Sequence, residues 1–269
     1  MNSMHPFFSV VSVVLNDLKG LKYTWQSLVL QDFRDFEWVV VDGGSSDGTK
    51  KFLAEIKGDN FRWLSEKDTG IYDAMNKSLN LCKADYVVFL NAGDFFTDSS
   101  TLEKVSAHLQ MSDRSPGILF AGATYVFNSG IRWYREPKLL DNYIWHGLPA
   151  VHQATFYKRH RLQNTKYDLS YKFCGDYYMA AKLFIEGIHA NYLDQSLVEF
   201  PVGGTSYCNP ISISIEPFLI QKKILNLSIL KRCRSLFKRL ISIIGFYFLS
   251  RKWIGAFRFK KHKKIFQLK

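Results

Sequence analysis

Acidic and amide side chains fall at four regular points in the first hundred residues: Asn16-Asp17, Asp42, Glu66 with Asp68, and Asn91 with Asp94. Each follows a short apolar run, so the four groups would close four successive strands and meet at one edge of a sheet. Any one of them is equally well read as a helix cap or turn former; four together are better explained as a site. Carboxylates crowded where an anionic ligand would sit repel one another. A divalent cation that prefers hard oxygen ligands, magnesium or manganese, resolves that conflict by bridging to phosphate oxygens. The chemistry implied is that of a nucleoside diphosphate held as a leaving group.

The elements that would position these residues follow from the hydrophobic pattern. Residues 8–15 and 36–42 (FEWVVVD) have the composition of strands buried on both faces. Residues 62–65 and 86–91 read as two further strands. Helices are predicted over 21–31, from the turn after Asp42 to about Lys57, and over 71–82. This alternation implies right-handed βαβ units and an open, mostly parallel sheet, whose ligands bind outside the carboxyl ends of the strands. After about Gly117 the pattern becomes mixed. Residues 118–127 and 131–134 flank Asn128-Ser129-Gly130, a plausible hairpin loop, and short strands at 154–158 and 190–193 bracket a helix over about 176–186. The whole reads as an α/β chain with a nucleotide-binding first half and a mixed second half that shapes another substrate site.

There is no GxGxxG after the first strand and no GxxxxGK[ST], so a dinucleotide fingerprint and a P-loop are both unsupported. Four scattered cysteines (Cys82, Cys174, Cys208, Cys233) have no metal-type spacing and suit a reduced, cytosolic-facing protein. The start, Met1 to Phe8, lacks the basic region of a secretory signal. Charge is uneven: every acidic residue lies at or before Glu216, so residues 1–216 carry −3 and residues 217–269 carry +15. A domain over 1–216 with a basic tail over 217–269 is the organisation this suggests.

VVVDGGSSDGT (39–49), SEKDTGIYDAMNKSLNL (65–81) and VVFLNAGD (87–94), in that order, resemble the bacterial family 2 glycosyltransferases of GT-A fold, and within them the exopolysaccharide, colanic acid-type branch. HQATFY (152–157) and YDLSYKFCGDYYMAAKL (167–183) extend the resemblance to about residues 7–205. It implies a nucleotide-sugar donor, UDP- or GDP-linked, with Asp42 at the base and Leu15 and Asn16 lining the same pocket. Asp68 and the helix opening at Gly70 would border the ribose and diphosphate, where a helix N-terminus favours phosphate. Asn76 would contact ligand, and its neighbour Asp73 is equally a solvated first-turn acid. Asn91-Ala92-Gly93-Asp94 stands where the family has Asp-x-Asp, which leaves Asp94 as the one carboxylate for Mg2+ or Mn2+ and gives Asn91 a neutral oxygen for metal or ribose. Donor-free metal affinity should then be weak. His152 is a metal or diphosphate ligand or a structural histidine. Asp176 is the expected general base, taking the acceptor hydroxyl's proton in an inverting transfer; the plain alternative is a helix cap. Trp145 and Tyr143 are read as core residues before sugar-stacking ones.

In the tail, basic residues recur with aliphatic and aromatic ones. The apolar run 240–249 is shorter than the roughly 20 residues a bilayer span needs. Amphipathic helices lying on an anionic membrane face, with Trp253, Phe257 and Phe259 near the interface, are the expectation. The protein would then be cytoplasmic and peripheral on the inner face of the membrane, near a glycan or polyprenyl-linked acceptor. A helix packed on the domain with a solvated basic face is the alternative. Nucleic acid fits poorly, since the tail is more apolar than phosphate tracking requires. Two other readings of the whole chain are a non-catalytic nucleotide-sugar-binding subunit of a polysaccharide assembly complex, and a sugar-phosphate nucleotidyltransferase. The second would want a Gly-rich basic loop where Asn16-Asp17-Leu18-Lys19-Gly20 stands.

Overall fold

A computed structural model of the chain describes residues 5–112, 114–127, 130–201 and 210–254. The valine-rich run forms β1 (Phe8–Val14) and FEWVVVD forms β2 (Phe36–Asp42), both almost wholly buried. β1 pairs in parallel with β2 and with β4 (Tyr86–Phe89), and β2 pairs in parallel with β3 (Phe61–Ser65). The helices α1 (Leu18–Val29), α2 (Thr49–Glu55) and α3 (Ile71–Leu79) connect these strands. β1 is followed in the sheet by β2 on one side and β4 on the other, which opens a crevice at their carboxyl ends.

Strand periodicity divides the core into two layers. Phe8, Val10 and Val14 of β1 pack with Trp38, Val40, Leu21 and Leu53 on one face. Val11 and Val13 pack with Val39, Met75, Leu79 and Phe89 on the other. A buried carboxylate ties the amino ends of the strands together. Glu37 accepts from Ser9 Oγ (2.5 Å) and from the amide of Ala84 (3.1 Å), and pairs with Arg62.

Beyond β4 the sheet becomes mixed, as the sequence predicts. β8 (Thr155–Lys158) lies antiparallel to β4 and to β6 (Ile118–Val126). β6 also pairs antiparallel with β7 (Arg132–Arg135) and parallel with β9 (Ala190–Pro201), and β9 carries the two-residue β5 (Phe95–Phe96). Of the expected hairpin loop, Asn128 and Ser129 lie outside the described residues; Gly130 has φ +82°. β9 runs eight residues past the strand expected over 190–193. β5, α4 (Thr101–Gln110) and α6 (Arg159–Thr165) have no counterpart in the sequence reading. The short α5 (Leu140–Tyr143) precedes the loop that leads to β8, and α7 (Gly175–Ile185) matches the helix expected around Asp176.

The chain continues into α8 (Pro210–Lys223) and α9 (Ile229–Ile254). The charge boundary at 216/217 does not coincide with a boundary in the fold, because it falls inside α8. Ile220, four residues beyond Glu216, is fully buried in the layer that holds α3 and α7. Gln221 and Ser235 are also fully buried. Among the described residues no helix is long and apolar enough to cross a membrane; Trp253 has no described side chain, and Phe257 and Phe259 lie outside the described residues.

Candidate active site

Register brings the polar strand ends together. Val14 lies opposite Asp42, and Asp42 opposite Ser65. The buried Asp42 carboxylate accepts from the amide of Ser45 (3.0 Å) and from Ser65 Oγ (2.7 Å), so it shapes the β2–α2 turn. Asn16, at φ +52°, binds the same turn: its Oδ1 accepts from the Ser46 amide (2.8 Å), and its own amide donates to Ser45 Oγ (2.7 Å). Gly43 is required by close approach. A Cβ there would stand 2.4 Å from Asp68 Oδ2 and 3.4 Å from Leu15 Cδ1. Asp68 and Leu15 therefore converge over a bare backbone, and Leu15 leaves 58% of its surface in solvent, an apolar group open beside polar ones. Asp68 Oδ1 accepts from the Gly70 amide (3.0 Å), the residue before α3.

Across the crevice, Asn91-Ala92-Gly93-Asp94 is a tight turn closed by Asp94 N–H to Asn91 C=O (2.9 Å). Gly93 sits at φ +92°, which accounts for glycine at this place: the third residue of a type II turn needs a positive φ. Thr24 of α1 pins the turn, its hydroxyl lying 2.8 Å from Asp94 C=O and accepting from the Gly93 amide (3.1 Å). The Asp94 carboxylate accepts from Gln153 Nε2 (3.1 Å). Burial pushes the Asp94 carboxyl up to about 7 against that hydrogen bond. No three His, Cys, Asp or Glu side chains form a ready cage among the described residues. Asn91 Oδ1, however, is a buried oxygen with no hydrogen-bond partner, in the same turn as a carboxylate that burial disfavours as an anion. Two such oxygens suit Mg2+ or Mn2+, which keeps waters and takes further ligands from a diphosphate.

Asp176 is the second residue of α7, and its Oδ1 accepts from the Tyr177 amide (2.8 Å). Burial pushes its carboxyl up to about 6; the positive charge of Arg135 opposes this and the negative charge of Glu216 adds to it. Arg135 is held by Tyr125 Oη (3.1 Å) and Leu148 C=O (2.8 Å). Gly175 lets α7 approach closely, since a Cβ there would stand 2.8 Å from the Tyr72 ring. Tyr72 stacks on Tyr167 (5.3 Å), Tyr167 lies 6.2 Å from His152, and His152 stacks on Phe89 (5.0 Å). A continuous aromatic wall thus runs from the Asp176 helix to the segment that holds Asp94.

Several expected residues contact other parts of the fold. Asn76 is bound at both ends of its amide: Nδ2 donates to Tyr167 C=O (2.9 Å) and Oδ1 accepts from the Tyr167 amide (2.8 Å). Its place on α3 thus ties that helix to the backbone of the 167 segment. Asp73 accepts from the Thr69 amide (2.9 Å), and Asp17 caps α1. His152 is buried within the aromatic wall, where burial lowers its pKa to about 4. The side chain of this segment that touches Asp94 is the neighbouring Gln153. Trp145 is covered by the tail, with Arg234 and Lys238 over its ring at 5.6 and 5.2 Å. Thr24, Gln153 and Arg135 were not singled out in the sequence. Their partners lie from 10 to 70 residues away; Gln153 stands inside the HQATFY motif, but nothing local marks its contact with Asp94.

The glycosyl transferase family 2 profile matches residues 9–184. The chain is 32% identical over 177 residues to the PGL/p-HBAD biosynthesis glycosyltransferase of Mycobacterium bovis BCG, covering 64% of this chain and 67% of that one. Over a shorter stretch of 93 residues it is 38% identical to an uncharacterised glycosyltransferase of Mycobacterium tuberculosis (34% of this chain, 36% of the other). Among solved structures, TarS of S. aureus superposes with a TM-score of 0.65 at 18% identity, covering 96% of this chain and 76% of that one. The Pyrobaculum calidifontis mannosyltransferase PcManGT, in complex with GDP-Man and Mn2+, superposes at 0.62 with 17% identity, over 94% and 81%. At these identities the superpositions speak for the fold, a GT-A arrangement, and the profile for the family. The chain is a glycosyltransferase and belongs to glycosyl transferase family 2.

Proposed function

We propose that this enzyme is an inverting transferase that moves a sugar from a UDP- or GDP-linked donor to a glycan or lipid-linked acceptor in cell-surface polysaccharide synthesis. The observation that carries the reading is Asp176, a carboxylate whose pKa burial raises to about 6. Such a group is ionised at neutral pH and still basic enough to take a proton in the transition state. In the reaction the acceptor oxygen attacks the anomeric carbon and passes its proton to Asp176. The bond from that carbon to the diphosphate oxygen breaks, and its electron pair leaves with the nucleoside diphosphate from the opposite face. Leu15 offers an apolar surface to the base, beside Asp42, Asn16 and Asp68. Asp94 and Asn91 would hold Mg2+ or Mn2+, which when bound neutralises charge on the diphosphate. Support for a nucleotide-sugar donor also comes from the fold neighbours: TarS has been solved with UDP-GlcNAc, and PcManGT with GDP-Man and Mn2+.

A lipid-linked acceptor fits the outer face of α9. Leu230 (80% exposed), Phe237 (66%) and Ile241 (53%) lie seven and four residues apart on one side of the helix, flanked by exposed Lys231, Arg234 and Lys238. With no acidic residue after Glu216, this face is complementary to an anionic cytoplasmic leaflet. A thermal-shift screen of UDP- and GDP-sugars with and without Mn2+ identifies the donor, and NMR of the product gives its anomeric configuration. The expected result is stabilisation by one donor class that requires Mn2+ or Mg2+, with inversion at the anomeric carbon. Retention of configuration would overturn the mechanism.

A further inference from the structure

The loop that leads into α7 is held by a carboxylate from the C-terminal helices. Glu216 Oε1 accepts from the Lys172 amide (2.9 Å), and its Oε2 accepts from the amides of Phe173 (2.9 Å) and Cys174 (2.8 Å). Three consecutive backbone donors on one anion form a strong, charge-assisted set. The position matters because Cys174 is the N-cap residue of α7, makes no side-chain cap of its own, and lies two residues before Asp176.

Glu216 is itself fixed. It lies on α8 between Ser214 and Ile220, both buried. Five residues on, Gln221 Nε2 donates to Trp145 C=O (3.0 Å) and Ser235 Oγ (2.8 Å). The same helices hold the segment on the other side of α7: Ser235 Oγ contacts His146 Nδ1 (3.0 Å), and Arg239 donates to His146 C=O. Tyr177, the residue after Asp176, donates to Ile144 C=O (2.6 Å) in that segment. Both approaches to Asp176 are therefore fastened to α8 and α9.

We infer that Glu216 is a positioning residue for the transfer reaction, setting the backbone that aims Asp176 and placing a negative charge behind it. The inference rests on the reading of Asp176 as base. Glu216→Gln is nearly the same shape but cannot accept hydrogen bonds on both oxygens, and Glu216→Ala accepts none. Transfer kinetics and donor titration are to be measured on the full chain for both variants, for Asp176→Asn, and for the Asp176→Asn/Glu216→Gln double variant. The expected order of kcat is wild type, then Gln, then Ala, with a loss of about tenfold or more for Ala and donor KM within about twofold of wild type. Removing the charge should also move the acid limb of kcat/KM to lower pH, which a merely structural role would not do. Because Glu216 acts through Asp176, the double variant should be no slower than Asp176→Asn alone.

Wild-type kcat and an unmoved acid limb in both Glu216 variants would overturn the inference and leave the base reading intact. So would additive losses in the double variant. Near wild-type turnover by Asp176→Asn would instead overturn the base reading, and the inference with it. If neither Glu216 variant folds, amide exchange in the wild-type protein decides: protection of residues 172–174 equal to that of α7 supports the inference, and exchange at loop rates overturns it.

Discussion

Among the described residues two carboxyls are held well above their ordinary pKa, and in both cases burial is the main cause. Asp94 stands at about 7 and Asp176 at about 6, against an ordinary 3.8. Below about pH 7 donor-free Asp94 is protonated, and a cation can bind only by displacing that proton. Affinity for donor with Mn2+ should therefore fall up to tenfold per unit as pH drops below 7, as isothermal titration would show. Gln153→Ala removes the hydrogen bond that favours the anion, so the fall should begin at higher pH. For Asp176 the sign is the same for another reason: the base must be ionised, and kcat/KM should rise with pH through about 6 and then level. A profile flat from pH 5 to 8 would contradict both assignments. Asp42, Asp94 and Asp176 stand out in the sequence as candidates because each closes a strand or opens a helix inside a recognisable motif. Gln153, Thr24 and Glu216 do not, since their roles arise from contacts between segments 42 to 70 residues apart.

At the scale of elements, the strands were the most legible part. β1, β2 and β4 are short runs rich in valine and aromatic residues, as suits strands covered on both faces, and the few polar residues in them are buried. The β5 dipeptide was not legible, because two residues carry no periodicity by which to declare themselves. Asn76 shows what a long-range contact adds to the reading of a polar residue in a helix. Local spacing puts it on the polar side of α3, yet its amide is matched to the backbone of Tyr167, 91 residues on. Asn76→Leu orphans a backbone donor and acceptor and should destabilise the protein by about 2 kcal/mol in urea unfolding. Donor affinity, measured under conditions where the variant is folded, should stay within twofold of wild type. A selective loss of donor binding without loss of stability would return Asn76 to the ligand site.

For the whole molecule, the division that charge suggests is not the division the fold makes. Residues 217–269 carry all the excess positive charge, but α8 crosses that line and buries Ile220 in the core layer that holds α3 and α7. Truncation near residue 217 would cut a helix that holds residues 172–174 and Trp145, so membrane affinity is better tested by substitution on the outer face of α9. The double change Leu230→Glu/Phe237→Glu should reduce binding to vesicles containing anionic lipid by at least tenfold while leaving transfer to a soluble acceptor unchanged. Wild-type binding should weaken with salt as surface electrostatics are screened. Equal vesicle binding by the two proteins would leave α9 as a packed helix with a solvated basic face.

The central claim is that Asp176 receives the acceptor's proton, and Asp176→Asn tests it with almost no change of shape. Donor affinity, measured with Mn2+, should match wild type within about twofold, and the rate of transfer should fall by roughly 10²- to 10⁴-fold, the usual contribution of a general base. Transfer by Asp176→Asn at near wild-type rate, with donor bound normally, would contradict the account.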